Sequence, residues 1–207
     1  EVGHQAREFW TGMAFMSVGT TVGLTLALNR PDSPEDVAAL LGCAVTTGLG
    51  LVCNEAQVKI GQSVVVFGCG GVGLNVLQGC MLASAYPIIG VDIVEEKLRK
   101  ALILGATHVC TTPEIRNYIP KGGADVVVDT TGNPEVMKLA WETAKSNGKV
   151  FLVAQLRHDV VMPLQTLPMH QGKIILGSDG GGTNPTEDII KKICTSCMPF
   201  IGLLYYI

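Results

Sequence analysis

Residues Val64-Val65-Val66-Phe67 run directly into Gly68-Cys69-Gly70-Gly71-Val72-Gly73, and a second apolar run, Ile88-Ile89-Gly90-Val91, ends on Asp92. An apolar strand, a glycine turn, a helix and an acid-tipped strand in that order specify a β-α-β unit of the kind that holds a dinucleotide. Each glycine has its own task. Gly68 lets the chain turn sharply out of the strand, Gly70 leaves room for a pyrophosphate against the backbone, and Gly73 lets the helix pack closely on the sheet. The phosphates then meet the helix N-terminus at Gly71, Val72 and Gly73, where unpaired amides and the positive end of the helix dipole favour an anion. Asp92 falls about twenty residues beyond Gly70, the place for a carboxylate that accepts hydrogen bonds from the adenosine ribose. Such a carboxylate repels the additional phosphate of NADP, so NAD is the expected dinucleotide. A tight glycine turn in an ordinary β-α unit would account for the glycines but leave Asp92 unexplained.

The remaining chain continues the pattern. Mostly apolar or β-branched runs at 63–67, 88–92, 108–111, 124–129, 149–154 and 173–178 predict strands buried on both faces. Helices are predicted at about 46–55, 72–84, 95–104, 113–118, 134–146 and 186–196, with a further one starting near Pro34, where Ser33 caps and Glu35 and Asp36 occupy the first turn. Right-handed crossovers turn this alternation into an α/β Rossmann fold, a doubly wound parallel six-stranded sheet with helices on both faces and strand order 3-2-1-4-5-6. The expected division is 33–200 for this domain, 1–32 for a remnant of a neighbouring one, and 201–207 for a truncated tail.

A net charge of −3 with 16% charged residues gives no basic footprint, which argues against nucleic acid or an anionic membrane as a main partner. Seven cysteines, an odd number scattered through apolar runs, lack the spacing of a secreted disulfide scaffold and point to reduced thiols in the cytoplasm. Residues 9–28 carry no charge, but the threonines and glycines among them make the run too polar for a membrane span, and no basic leader precedes it.

Leu41-Gly42-Cys43-Ala44-Val45-Thr46-Thr47-Gly48-Leu49-Gly50, the glycine turn at 68–73, Asp92, Lys97 and Leu104-Gly105-Ala106-Thr107 together closely resemble the zinc-dependent medium-chain alcohol dehydrogenases. The resemblance covers about 30–195, nearly all of that family's coenzyme domain. It implies an NAD-dependent oxidoreductase that moves hydride between an alcohol and NAD, with a small alcohol and its aldehyde or ketone as substrates. It also implies a homodimer joined through strand six, at Lys173 to Ser178. By the same resemblance Cys43 is one ligand of a catalytic zinc, Thr47 touches the nicotinamide, and Lys97 reaches the ribose beside Asp92. Thr130, Thr131 and Val153 line the nicotinamide side of the cleft. The zinc would polarise the alcohol oxygen and stabilise alkoxide as hydride leaves.

The chain also departs from that pattern. The family's other catalytic zinc ligands lie far upstream of its Cys43 equivalent. Gly3-His4 resembles the histidine-bearing Gly-His-Glu of the family but continues with Gln5 and lies too near Cys43. The four-cysteine lobe for a structural zinc and the relay histidine are missing. The expectation is a chain supplying the coenzyme-binding half, with zinc bound only if ligands come from the missing domain. The alternative is a catalytically silent NAD(H)-binding module. A methyltransferase binding S-adenosylmethionine shares the glycine turn and strand-tip acid, but the Cys43/Thr47 segment and the six-strand pattern argue against it.

Other groups have plainer readings. Cys194-x-x-Cys197 reads as free thiols, and His108, His158 and His170 lack a neighbouring nucleophile or carboxylate pattern. Gly180-Gly181-Gly182 reads as a flexible turn near the coenzyme. Asp129, at the end of strand four, suits either a base or a strand-end hydrogen bond.

Overall fold

The computed structural model describes residues 41–156 and 159–183. The expected helices from Pro34 and at 186–196, the flanking segments 1–32 and 201–207, Gly3-His4, His158 and Cys194-x-x-Cys197 lie outside the described residues. The chain divides into two compact units, one of them Thr47–Gly182. Of the other, residues 41–46 and Thr183 are described. There the Thr46 hydroxyl donates to the Cys43 carbonyl at 2.9 Å, and the Thr183 hydroxyl donates to the Thr46 carbonyl at 2.9 Å.

Thr47–Gly182 contains a six-stranded sheet: β1 (Val64–Phe67), β2 (Ile88–Val91), β3 (His108–Cys110), β4 (Ala124–Asp129), β5 (Ala144–Leu152) and β6 (Ile174–Gly177). Every pairing is parallel and the order is β3-β2-β1-β4-β5-β6, the order expected from the sequence. Among the described residues, α1 (Thr46–Gly50) is flanked in sequence by π-type turns at Leu41–Val45 and Leu51–Ala56. Then follow α2 (Gly71–Leu82), α3 (Glu95–Ile103), α4 (Pro134–Thr143) and α5 (Leu167–His170).

Unbroken apolar strands are what a sheet covered on both sides requires. Val64, Val65 and Val66 are wholly buried and Phe67 is 1% exposed, so successive residues of β1 bury on opposite faces. One face packs Val65, Phe67, Ile89, Val91 and Val127 with Ala140 and Trp141 of α4. On the other, a Cβ at Gly90 would lie 3.3 Å from Ala101 of α3 and 3.4 Å from Leu77 of α2, so that glycine lets both helices approach the sheet.

Several elements differ from the sequence expectation. The segment expected as a helix at 113–118 is a 3-10 helix at Thr112–Asn117, started by a capping box in which the Thr111 hydroxyl and amide both donate to Glu114. The helix expected to reach 146 stops at Thr143, and β5 begins at Ala144 rather than 149. Ala144 pairs with Ala124, then the register shifts before Lys149 pairs with Val126, with Asn147 at φ 62° within the irregularity. Gly180–Gly182 forms a short 3-10 segment kinked at Gly181, with all three glycines at positive φ, and a Cβ on Gly181 would come 2.6 Å from the Leu51 amide nitrogen.

Candidate nucleotide-binding site

The site forms at the C-terminal ends of β1, β2 and β4, where the parallel order reverses about β1. Phe67 ends β1 and Gly68 turns at φ +90°, a conformation that L side chains rarely adopt. A Cβ there would also meet Thr131 Cγ2 at 3.1 Å. Gly73 is constrained by contact: its Cβ would sit on the Gly68 carbonyl oxygen, so the first turn of α2 and the end of β1 touch through backbone alone. Gly70 is the opposite case. Its backbone is extended at φ −85° and ψ −168°, and a Cβ would meet nothing within 4 Å. The three glycines thus divide into a turn, an open cradle and a close contact.

Gly70 precedes α2 with no side-chain cap, and no acid lies in the helix's first turn. The first backbone bond into the helix from the cap is Leu74 N–H to the Gly70 carbonyl at 2.9 Å. The amides of Gly71, Val72 and Gly73 are therefore at the helix end that favours an anion. A dinucleotide's pyrophosphate fits this cradle, because a Cβ on Gly70 would meet nothing within 4 Å and the helix that follows presents its N-terminus there.

Asp92 follows β2 and is 9% exposed. Its Oδ2 accepts the Cys69 amide at 2.8 Å and its Oδ1 accepts the Val94 amide at 2.9 Å. Each oxygen keeps a further lone pair for a ribose hydroxyl. Lys97, in the first turn of α3, is exposed, and among the described residues it has no hydrogen-bond or ion-pair partner. Thr130 and Thr131 follow β4. The Thr130 hydroxyl lies 3.0 Å from both the Phe67 and the Gly68 carbonyl oxygens, so its side chain meets the glycine turn directly. Register explains this contact, which sequence reading did not foresee: Phe67 pairs with Asp129, which sets Thr130 alongside Gly68.

Asp129 is fully buried and closes its own turn. Its Oδ1 accepts the Thr131 hydroxyl at 2.7 Å and the Thr131 amide at 3.3 Å, and its Oδ2 accepts the Gly132 amide at 3.3 Å. Burial pushes its carboxyl above the ordinary value in spite of these bonds. This geometry makes Asp129 a strand-end anchor. Val153 sits just beyond β5, half-buried, with its amide donating to the Asp129 carbonyl at 2.9 Å. Thr47 is 6% exposed.

The cysteines and histidines are chemically quiet here. Burial, then the Asp92 charge, pushes the Cys69 thiol up to about 12, so it stays neutral inside the turn. His108 Nδ1 lies 2.9 Å from the Thr107 hydroxyl, with its ring tilted against Tyr118. His170 ends α5 in an exposed position. Cys43 is exposed, and among the described residues no group of three or more His, Cys, Asp or Glu side chains is placed to hold a metal ion. The described residues alone therefore do not make up a zinc site, which needs three or four protein ligands.

Strand order, glycine turn and strand-tip acid together define a Rossmann-type α/β fold. A profile described as zinc-binding dehydrogenase matches residues 71–194, and the chain belongs to that family. It is 36% identical over 179 residues to the S-(hydroxymethyl)glutathione dehydrogenase of Paracoccus denitrificans, covering 80% of this chain and 48% of that protein. The alcohol dehydrogenase class-3 of Cereibacter sphaeroides is also 36% identical, over 184 residues, covering 82% of this chain and 49% of that protein. Among solved structures, benzyl alcohol dehydrogenase from Acinetobacter calcoaceticus matches with a TM-score of 0.73 and 32% identity, over 79% of this chain and 47% of that one. The chain thus spans about half the length of these relatives.

Proposed function

We propose that this chain is the coenzyme-binding half of an NAD-dependent alcohol dehydrogenase that transfers hydride between a small alcohol and its aldehyde or ketone. The observation that carries this reading is the open cradle at Gly70, framed by a turn that requires glycine at 68 and a helix contact that requires it at 73. In this reading the coenzyme domain spans 33–200. NAD, when bound, accepts or returns the hydride.

The chain's own residues bind and orient it. The Gly71, Val72 and Gly73 amides take the pyrophosphate, and Asp92 accepts from the adenosine ribose. Lys97, exposed and unpaired among the described residues, reaches the same ribose. Thr47, Thr130 and Val153 flank the nicotinamide. Cys43 is a zinc ligand in this reading, and the described residues alone do not complete a metal site.

Asp92 decides the coenzyme by charge. Its carboxylate, already holding two amides, would confront a 2′-phosphate at hydrogen-bonding distance, so NADH should bind more tightly than NADPH by tenfold or more, about 1.4 kcal/mol. Fluorescence titration of both reduced coenzymes checks this. Equal affinities, or tighter NADPH, would remove Asp92 from the ribose.

A further inference from the structure

We infer that Thr130 and Asp92 form a two-sided clamp that sets the shape of the glycine turn before any coenzyme arrives. This inference rests on the reading of the turn as the pyrophosphate site.

β1 lies between β2 and β4, so the residues just beyond those two strands flank the turn that leaves β1. From the β2 side, Asp92 Oδ2 accepts the Cys69 amide at 2.8 Å, while Oδ1, held by the Val94 amide at 2.9 Å, fixes the carboxylate's orientation. From the β4 side, the Thr130 hydroxyl gives its one hydrogen to a pair of carbonyls, Phe67 and Gly68, each 3.0 Å away. The Phe67 carbonyl also accepts the Thr130 amide at 2.9 Å. Loss of the hydroxyl would leave the Phe67 carbonyl this other donor. For the Gly68 carbonyl, Thr130 is the hydrogen-bond donor that the described residues provide.

The two grips meet on one peptide group, that between Gly68 and Cys69. Thr130 holds the carbonyl of Gly68, whose peptide partner is the Cys69 N–H held by Asp92, so a single peptide plane is pinned at both ends. That plane immediately precedes Gly70, where the backbone is open to a ligand. With φ at +90° on Gly68, the turn has glycine's wide conformational freedom, and a flexible turn would have to be ordered on binding. Fixing the plane in advance removes that cost. Thr130 and Asp92 are thus positioning residues for the turn, in addition to any contact Asp92 makes with the ribose.

The test uses the full chain without ligand, as Thr130→Val, Thr130→Ser and Asp92→Asn variants, followed by residue-resolved amide hydrogen exchange and by NADH titration. Thr130→Val keeps the side-chain shape and removes the hydroxyl, whereas Thr130→Ser keeps the hydroxyl. Exchange at Cys69 is expected to accelerate about tenfold in Thr130→Val and in Asp92→Asn, with the amides of β1 and β4 unchanged, and to return to the wild-type rate in Thr130→Ser. NADH affinity is expected to fall about fivefold in Thr130→Val and recover in Thr130→Ser. Unchanged exchange at Cys69 in Thr130→Val and Asp92→Asn would overturn the clamp whatever the coenzyme does. Faster exchange with undiminished NADH affinity would overturn its part in binding. Faster exchange in a chain whose wild-type form binds no NADH would leave the clamp standing and defeat the coenzyme reading instead.

Discussion

Gly70 and Gly73 stand three positions apart and answer substitution in opposite ways. At Gly70 the backbone angles suit any residue and nothing lies within 4 Å of a Cβ, so Gly70→Val should leave stability within about 0.5 kcal/mol. The same side chain would occupy the space proposed for the pyrophosphate, so NADH affinity should fall by at least tenfold, about 1.4 kcal/mol. Gly73→Val puts carbon onto the Gly68 carbonyl, a backbone atom that can move only if the turn opens, at a cost of about 3 kcal/mol. Denaturant midpoints with NADH titration separate the two variants. A destabilised Gly70→Val, or one with undiminished affinity, would refute this division of roles. The turn at Gly68 and the close contact at Gly73 were legible from spacing alone; the Thr130 hydroxyl was not. Nothing in Asp129-Thr130-Thr131-Gly132-Asn133 says which carbonyl a threonine will meet until strand register sets it beside Gly68.

At the scale of elements, strand order followed from alternating apolar runs and right-handed crossovers, but strand starts depended on polar contacts remote in sequence. Asp125 shows how. Near the start of β4 its Oδ2 accepts the Ser63 amide at 3.0 Å and the Ser63 hydroxyl at 2.6 Å, just ahead of β1, while Oδ1 pairs with Lys145 near the start of β5. Lys145 and Ser146 read in sequence as the end of the helix over 134–146; the ion pair and the left-handed Asn147 make this stretch the irregular beginning of β5 instead. Burial pushes the Asp125 carboxyl upward, but the bonds from Lys145 and Ser63 outweigh it and hold the group below its ordinary value of 3.8. An acid whose folded pKa is depressed stabilises the fold above its unfolded value, and that contribution is lost as pH falls through the folded one. Wild type should therefore be more stable than Asp125→Asn at neutral pH, and the difference should shrink as pH drops below 3.8. Urea denaturation of both proteins across that range measures it, and a difference independent of pH would mean the carboxylate's charge is not what joins the strand starts.

At the scale of the whole molecule, the sheet ends on β6, whose outer edge has no partner strand among the described residues. β6 pairs with β5 on one side, and Ile174 and Leu176, alternating on one face, are 45% and 41% exposed. Leu167 and Met169 of α5 add exposed apolar surface close by in the chain, at 70% and 40%. Lys173, which begins this segment, is turned inward: its ammonium donates to the Trp141 carbonyl at 2.8 Å and lies 5.0 Å from the Trp141 ring centroid, so the charge that would discourage edge pairing is spent on the end of α4. An apolar edge without a guarding charge is a template for another strand. Pairing with a second copy across a two-fold axis closes that edge by an isologous contact, whereas pairing without closure would give open polymers. We therefore predict a dimer built on β6. Ile174→Lys/Leu176→Lys, which restores charge to the edge, should shift the protein to a monomer in sedimentation equilibrium while NADH binding, at the far end of β1, persists. A wild-type chain that sediments as a monomer at micromolar concentration, or a double variant that stays dimeric, would show that β6 is not the joining edge.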